Sequence, residues 1–410
     1  MVSETALQQW RRYARALGGE GLPCALVDLG AFDRNAAALF GAARAAGKTV
    51  RLATKSVRVP ALLRRLQDSA PGVAKGLLTF TAAETAHLAE QGFDDLLLAY
   101  PTLHPKDAAL LARAARKTTV AAAVDDLAQV QALAQAARSE GVTLGLVVDV
   151  DVSWRPLGAR GPHLGVRRSP LREAKEVVAL AKEIAGTAGV RFRGLLAYEA
   201  QVAGLADALP GAVVGNFGKR LLKRLSQPDV SARRSALVAA LREAGLPCDL
   251  VDGGGTGNLA QAARDPALTE VAAGSGFFAS HLFTSYAEQA VVPPLAPALF
   301  FALQVTRAPG PGFVTCHGGG LIASGGAGPD RLPQPALPPG LSLLPLEGAG
   351  EVQTPLCVPA GVSLPLGAAV FFRPAKAGEP LERFNEVLLI EGARITGRAP
   401  TYRGLGHAFL

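Results

Sequence analysis

Residues 24–55, CALVDLGAFDRNAAALFGAARAAGKTVRLATK, set the grammar for most of the chain. CALVDL (24–29) is a β-branched and leucine-rich run, FDRNAAALFGAARAAG (32–47) spaces its apolar residues at helical intervals, and TVRLATK (49–55) returns to strand composition. A strand, a crossover helix and a second strand within about 30 residues make a βαβ unit, whose strands run parallel. The theme repeats to about Gly276. GLLTFT (76–81), DLLLAYP (95–101), TVAAAV (119–124), LGLVVDVDV (144–152), FRGLLAYEA (192–200) and CDLVDGGG (248–255) are six further strands, separated by stretches such as PLREAKEVVALAKEIAG (170–186). Eight strands over roughly 250 residues predict an α/β architecture, a (β/α)8 TIM barrel. The longest connection, 202–243, predicts two helices, with Lys219, Arg220, Lys223 and Arg224 on a solvated or subunit-facing surface.

After Phe283 prolines multiply and helical spacing fades. PALFFALQV (297–305), GFVTCHGG (312–319), LSLLPLEG (341–348), AAVFFRP (368–374) and EVLLIEGARI (386–395) predict short antiparallel strands joined by Gly/Pro turns. The expected division is an N-terminal helix packing on the β domain (1–22), the barrel (23–285) and a smaller C-terminal antiparallel β domain (286–410), with the boundary near 285–297.

Composition narrows the function classes. The 410 residues are 49% hydrophobic and 19% charged, as globular proteins are, and 42 Lys+Arg against 34 Asp+Glu give +8. The basic residues are scattered without interleaved aromatics, so the charge suits a small anionic ligand and no nucleic-acid module is indicated. Cys24, Cys248, Cys316 and Cys357 lie far apart with no CxxC pair. Neither a structural zinc site nor a disulfide framework follows, and reduced thiols point to the cytoplasm. The stretch AVVPPLAPALFFALQV (290–305) is broken by three prolines and too short to span a membrane. Trp10, Arg11 and Arg12 interrupt the start where a signal peptide needs an apolar run.

Barrel enzymes draw their reactive groups from the C-terminal ends of strands. Lys55 ends VRLATK. It is either a surface lysine at a strand end or a desolvated amine, deprotonated enough to form a Schiff base. VDGGGTGN brings Gly254, Gly255 and Thr256 directly after the strand expected to be the eighth, and AAGSGFF adds Gly274, Ser275 and Gly276. One such turn is a plain tight loop; two at the end of a barrel are where this fold binds phosphate. Asn258 stands where G-x-G-x-x-G needs its third glycine, and Arg220 after Gly218 and Lys219 replaces the Ser/Thr of a P-loop, so neither nucleotide motif is present. Arg155 in DVSWRP is placed either to hold a substrate carboxylate through its fork or to pair with Asp149 or Asp151. A Schiff-base lysine with a phosphate cradle fits pyridoxal phosphate as cofactor.

ALVDLGAFDRN, RLATKSVRVPALLRR, GLLAYEAQ, VDGGGTGN and EVAAGSGFF, in this order, resemble the fold-type III pyridoxal-phosphate enzymes, which share the alanine racemase N-terminal barrel. Within them the chain is most similar to the D-threonine aldolase and D-serine dehydratase branch, especially the bacterial amino acid deaminase/aldolase group. SWRP, HLGVRRSPLR, LEGAGEVQTPL, RPAKAGE and PTYRGLGHAFL extend the resemblance over most of the chain. The resemblance implies that Lys55 holds the cofactor covalently, that Gly254, Gly255, Thr256, Gly274, Ser275 and Gly276 bind its phosphate, and that Tyr198 lies beside its ring. His163 falls where relatives carry an arginine near the cofactor's phenolic oxygen.

Metal-dependent relatives carry Pro-x-His-x-Cys/Asp near the last strands. Here Pro374 is followed by Lys376 and Gly378 at the two ligand positions, which leaves a divalent metal doubtful. Lys376 then either supplies the ion's positive charge, with Glu379 or Glu351 as proton acceptor, or lines a polar loop. Racemases of this fold use a β-domain tyrosine at the turn that reads FVTCHGGG here. His317 stands in that turn as a general acid–base or as a solvated side chain. The implied activity is a lyase acting on a β-hydroxy amino acid of D configuration, by retro-aldol cleavage or by dehydration and deamination. A racemase, a non-catalytic cofactor carrier and a barrel aldolase using lysine without pyridoxal phosphate stay open. The resemblance also implies a homodimer.

Overall fold

The computed structural model describes residues 4–209, 211–287 and 291–409; Ala290, with which the long apolar stretch begins, and part of the expected 285–297 boundary lie outside them. Eight parallel strands close into a barrel in chain order: β2 (Thr49–Ala53), β3 (Ala74–Thr79), β4 (Leu96–Leu98), β5 (Val120–Val124), β6 (Leu144–Asp149), β7 (Val190–Leu196), β8 (Leu250–Gly253) and β9 (Glu270–Ala273). β9 closes the ring on β2, with Leu52 opposite Ala273. Amphipathic helices form the outer layer, as the alanine-rich segments require. The helix Leu127–Glu140 shows why each stops where it does: the Asp126 carboxylate accepts from Ala128 N at its start, and Gly141 takes a left-handed φ of 66° at its end.

The barrel count of eight is right, but its membership differs from expectation. β1 (Cys24–Asp28) lies in the second sheet, antiparallel to β10 (Leu299–Gly310) and parallel to β16 (Glu386–Glu391). CALVD is buried along nearly its whole length, and an apolar run of that kind suits the middle of either sheet. The eighth barrel strand is the short EVAA segment of β9, so VDGGGTGN follows the seventh barrel strand and AAGSGFF the eighth.

The second sheet runs β13 (Ser342–Leu343), β14 (Gln353–Cys357), β11 (Phe313–His317), β10, β1, β16, β17 (Arg394–Pro400), while β12 (Gln334–Leu337) joins through β15 (Ala369–Arg373) to β10. The N-terminal helix Glu4–Ala16 covers this sheet. Trp10 donates its indole N–H to the Ala369 carbonyl at 3.0 Å, and the Tyr13 ring packs edge-on against Phe300 and Phe371. The Tyr13 hydroxyl donates to Asp28, whose other carboxylate oxygen caps the helix Leu29–Ala45 through Ala31 N.

The connection expected to hold two helices holds a four-residue helix, Ala200–Ala203, that begins just before it, and one helix of 31 residues, Val213–Glu243, running through Pro228. Its basic residues are not simply a solvated face. Arg220 donates to the Asp207 carbonyl, and Lys223 pairs with the Asp207 carboxylate at 3.2 Å over the Tyr286 ring.

The β domain closes on the barrel mouth. The short helix Gly378–Leu381 lies against Thr54–Val57, and a side chain at position 378 would collide with the Lys55 carbonyl oxygen. Arg58 donates to that same carbonyl at 2.9 Å and pairs with Glu382. Nearby, the Tyr402 hydroxyl donates to Glu84 at 2.7 Å, and Phe80 N donates to the other Glu84 oxygen. Burial pushes the Glu84 carboxyl up to about 7. The folded chain therefore holds this proton more tightly than the unfolded chain. The stabilisation, about 3 kcal/mol, is complete below an unfolded pKa of about 4.3 and is lost as pH rises through 7. The thermal midpoint should fall between pH 5 and pH 8, and Glu84→Gln should flatten that slope; an unchanged slope in the variant contradicts the assignment.

Candidate active site

Lys55 sits in the first turn after β2, on the helix Thr54–Val57, with its side chain exposed at the C-terminal end of the barrel. Its amine lies 3.2 Å from the Tyr100 hydroxyl, just beyond β4. Arg168, from the loop after β6, places its guanidinium 5.5 Å from the Tyr100 ring centre. It is pinned by the Asp149 carboxylate at 2.9 Å and the Ala99 carbonyl at 3.2 Å. Burial pushes Asp149 up to about 6 against the pull of Arg168. Burial alone would raise the Tyr100 phenol, but the Lys55 and Arg168 cations outweigh it and hold the phenol below its ordinary value.

The closed ring decides where the glycine turns fall. β9 lies between β8 and β2, so Gly274–Ser275–Gly276 borders the strand of Lys55 and Gly254–Gly255–Thr256 is one strand further on. The Ser56 and Ser275 hydroxyls are 3.1 Å apart, and Gly276 N donates to the Thr256 hydroxyl at 2.9 Å. A Cβ at Gly274 would stand 2.9 Å from the Ser56 hydroxyl, and one at Gly255 would stand 3.4 Å from the Tyr198 ring. Glycine thus lets the second turn approach Ser56 and the first approach Tyr198, whose phenol burial pushes up to about 12 with help from Glu199.

A buried ion cluster fixes the first turn from beneath. Glu199 accepts from Gly254 N at 2.9 Å and from the Asn258 amide at 2.8 Å, and pairs with Arg234. Arg234 also reaches Asp265 at 3.1 Å and the Ala197 carbonyl at 2.6 Å. Glu199 and Arg234 are both completely buried.

Lys376 lies in the segment that covers Lys55 and donates to the Ser324 carbonyl and hydroxyl at 2.8 and 2.9 Å, 4.0 Å from Glu379. Burial lowers its amine, which the Lys55 and Arg331 charges lower further. Arg155 is engaged on its own loop by Asp151 and Ser153, and Arg172 shares Asp151. His163 bonds the Val166 carbonyl within its loop at 3.1 Å. His317 is exposed at the end of β11, opposite Gln353. Among the described residues no three His, Cys, Asp or Glu side chains cluster to hold a metal ion.

Sequence reasoning missed Tyr100 and Arg168. Tyr100 was within reach of the strand-end rule, because it stands next to last in DLLLAYP. Arg168 carried no such signal, since it returns to the mouth from a loop 19 residues beyond Asp149.

Comparison with known proteins shows the family and the fold. The chain is 27% identical over 256 residues to a D-threonine aldolase of Arthrobacter sp, a match covering 62% of this chain and 60% of that relative. The structure superposes on D-threonine aldolase from Filomicrobium marinum with a TM-score of 0.78 at 21% identity, covering 94% of this chain and 95% of that one. It superposes on D-threo-3-hydroxyaspartate dehydratase from Delftia sp. HT23 with a TM-score of 0.70, also at 21% identity, over 94% and 98%. The model of the alanine racemase N-terminal domain matches residues 27–281, from the first buried strand past both glycine turns. With its barrel, its lysine at the mouth and its paired turns accounted for, the chain belongs to the family of the alanine racemase N-terminal domain.

Proposed function

We propose that the chain is a pyridoxal-phosphate-dependent lyase acting on a β-hydroxy amino acid of D configuration, by retro-aldol cleavage or by dehydration and deamination. The observation that carries this reading is the Lys55 amine at the barrel mouth, one strand from a glycine turn whose hydroxyl and amide donors suit a phosphate ester. The residues present fit the cofactor. Lys55 would hold it through its amine, Ser56, Thr256, Gly274, Ser275 and Gly276 would receive the phosphate, and Tyr198 would flank the ring. Bound pyridoxal phosphate supplies an electron sink for the bond broken at the substrate's α carbon.

The chain's own residues do the rest. Arg155 is committed to Asp151, so Arg168 is the arginine that faces the Lys55–Tyr100 pair and attracts a carboxylate or phenolate there. Lys376, fixed by Ser324, presents a positive charge over Lys55 to draw the β-hydroxyl or carboxylate, with Glu379 as its neighbouring proton acceptor. The collision at position 378 means that this backbone does not accept a second ligand of the metal-dependent pattern, and no step is assigned to a metal.

Proton NMR of D-threonine, and of D-serine in parallel, with the cofactor-loaded protein, with and without manganese, tests the reading. Glycine and acetaldehyde mark an aldolase, 2-oxobutanoate and ammonia a deaminase; unchanged D-threonine and D-serine contradict the reading. Lys376→Met should cut turnover by on the order of a hundredfold or more with cofactor retained, and full activity would remove Lys376 from the mechanism.

A further inference from the structure

We propose that Tyr100 is a catalytic acid–base residue that shares a proton with Lys55 and serves that amine as it makes and breaks its bond to a carbonyl carbon. The inference rests on the reading that Lys55 carries the cofactor. An amine attacks a carbonyl only after losing its proton. Tyr100 places an oxygen 3.2 Å from the amine. The backbone leading to it is pinned, because Ala99 N donates to the Thr79 carbonyl at 3.0 Å while the Ala99 carbonyl accepts from Arg168. Pro101 follows and fixes its own φ. At 39% exposure the phenol also meets solvent, with which it can exchange its proton.

Four charged or titratable groups face it. Lys55 and Arg168 favour the phenolate, Asp149 opposes it, and Tyr198 stands across the mouth. The proton balance is simple. The N–H bond of the Lys55 ammonium breaks as the phenolate forms an O–H bond, leaving the amine its lone pair. When the amine then joins an aldehyde, the carbonyl oxygen departs as one water, taking one proton from the amine nitrogen and one from the phenol, which returns to phenolate. The reverse sequence releases the lysine without an oxidant or reductant.

Two measurements test this separately from the cofactor reading. The first uses cofactor-free protein labelled with carbon-13 at the tyrosine Cζ and follows each phenol by NMR against pH. The chain has five tyrosines. Burial drives Tyr13, Tyr198, Tyr286 and Tyr402 upward, so Tyr100 should titrate alone below the rest. Lys55→Met should move its midpoint up by about one pH unit or more; an unmoved midpoint overturns the shared proton. The second follows covalent capture of pyridoxal phosphate by absorbance and by mass after borohydride reduction. Tyr100→Phe should slow capture by on the order of a hundredfold, with noncovalent affinity, read in a Lys55→Ala background, unchanged. Equal capture rates overturn the acid–base role. A native chain that never captures pyridoxal phosphate at Lys55 overturns the cofactor reading instead, while the titration still decides the pair.

Discussion

Replacing Lys55 with alanine should lower D-threonine turnover by on the order of ten-thousandfold or more while leaving the fold intact. The expectation follows from what the side chain touches. Among the described residues its amine hydrogen-bonds the Tyr100 hydroxyl, and the side chain is exposed. The structural work at residue 55 is done by its backbone, whose carbonyl receives Arg58 and packs against Gly378. Alanine keeps that carbonyl and tolerates the helical turn Thr54–Val57. Chemistry and stability should therefore separate cleanly. Substrate loss followed by NMR, beside a thermal melt within a few degrees of the native chain, is the expected pair of results. Substantial turnover in the variant would remove Lys55 from the centre of the mechanism.

The second large effect is expected far from the reacting atoms. Arg234→Leu should destabilise the protein by about 3–5 kcal/mol and weaken cofactor binding at the same time. Arg234 holds Glu199 and Asp265 where neither meets water, and its guanidinium packs over Gly253. Leucine fills much of the volume but leaves two buried carboxylates without their cation. They must then take up protons or open the structure to water. Because Glu199 also anchors Gly254 N and Asn258, the turn next to Tyr198 loses its support. Chemical denaturation and a pyridoxal-phosphate titration measure the two consequences. A variant that unfolds at the native denaturant midpoint would show that the cluster is relaxed elsewhere.

Much of this was readable without coordinates. The alternation of apolar runs with helically spaced segments specified a parallel barrel, because each unit can bury its apolar face only against the next. The two glycine turns were visible as runs no regular element would tolerate. Less visible was which apolar run belongs to which sheet. CALVD and EVAA satisfy the same local requirement, burial on both sides, and only their hydrogen-bonding neighbours distinguish them. The same limit applies to charged groups. Arg155 and Arg168 are equally good forks in sequence, yet one is taken up by Asp151 on its own loop and the other reaches the Lys55–Tyr100 pair.

The sequence by itself determined the barrel, the lysine at a strand end and the glycine-rich chemistry of its phosphate-like cradle, because these depend on composition and short-range spacing. Tertiary structure alone decided that β9 stands between Lys55's strand and the first glycine turn, and that the β domain folds residues 374–381 over the mouth. It also decided that Lys55 and Arg168 converge on Tyr100. Ring closure and domain docking bring together residues distant in the chain, and no local pattern encodes which of them will meet.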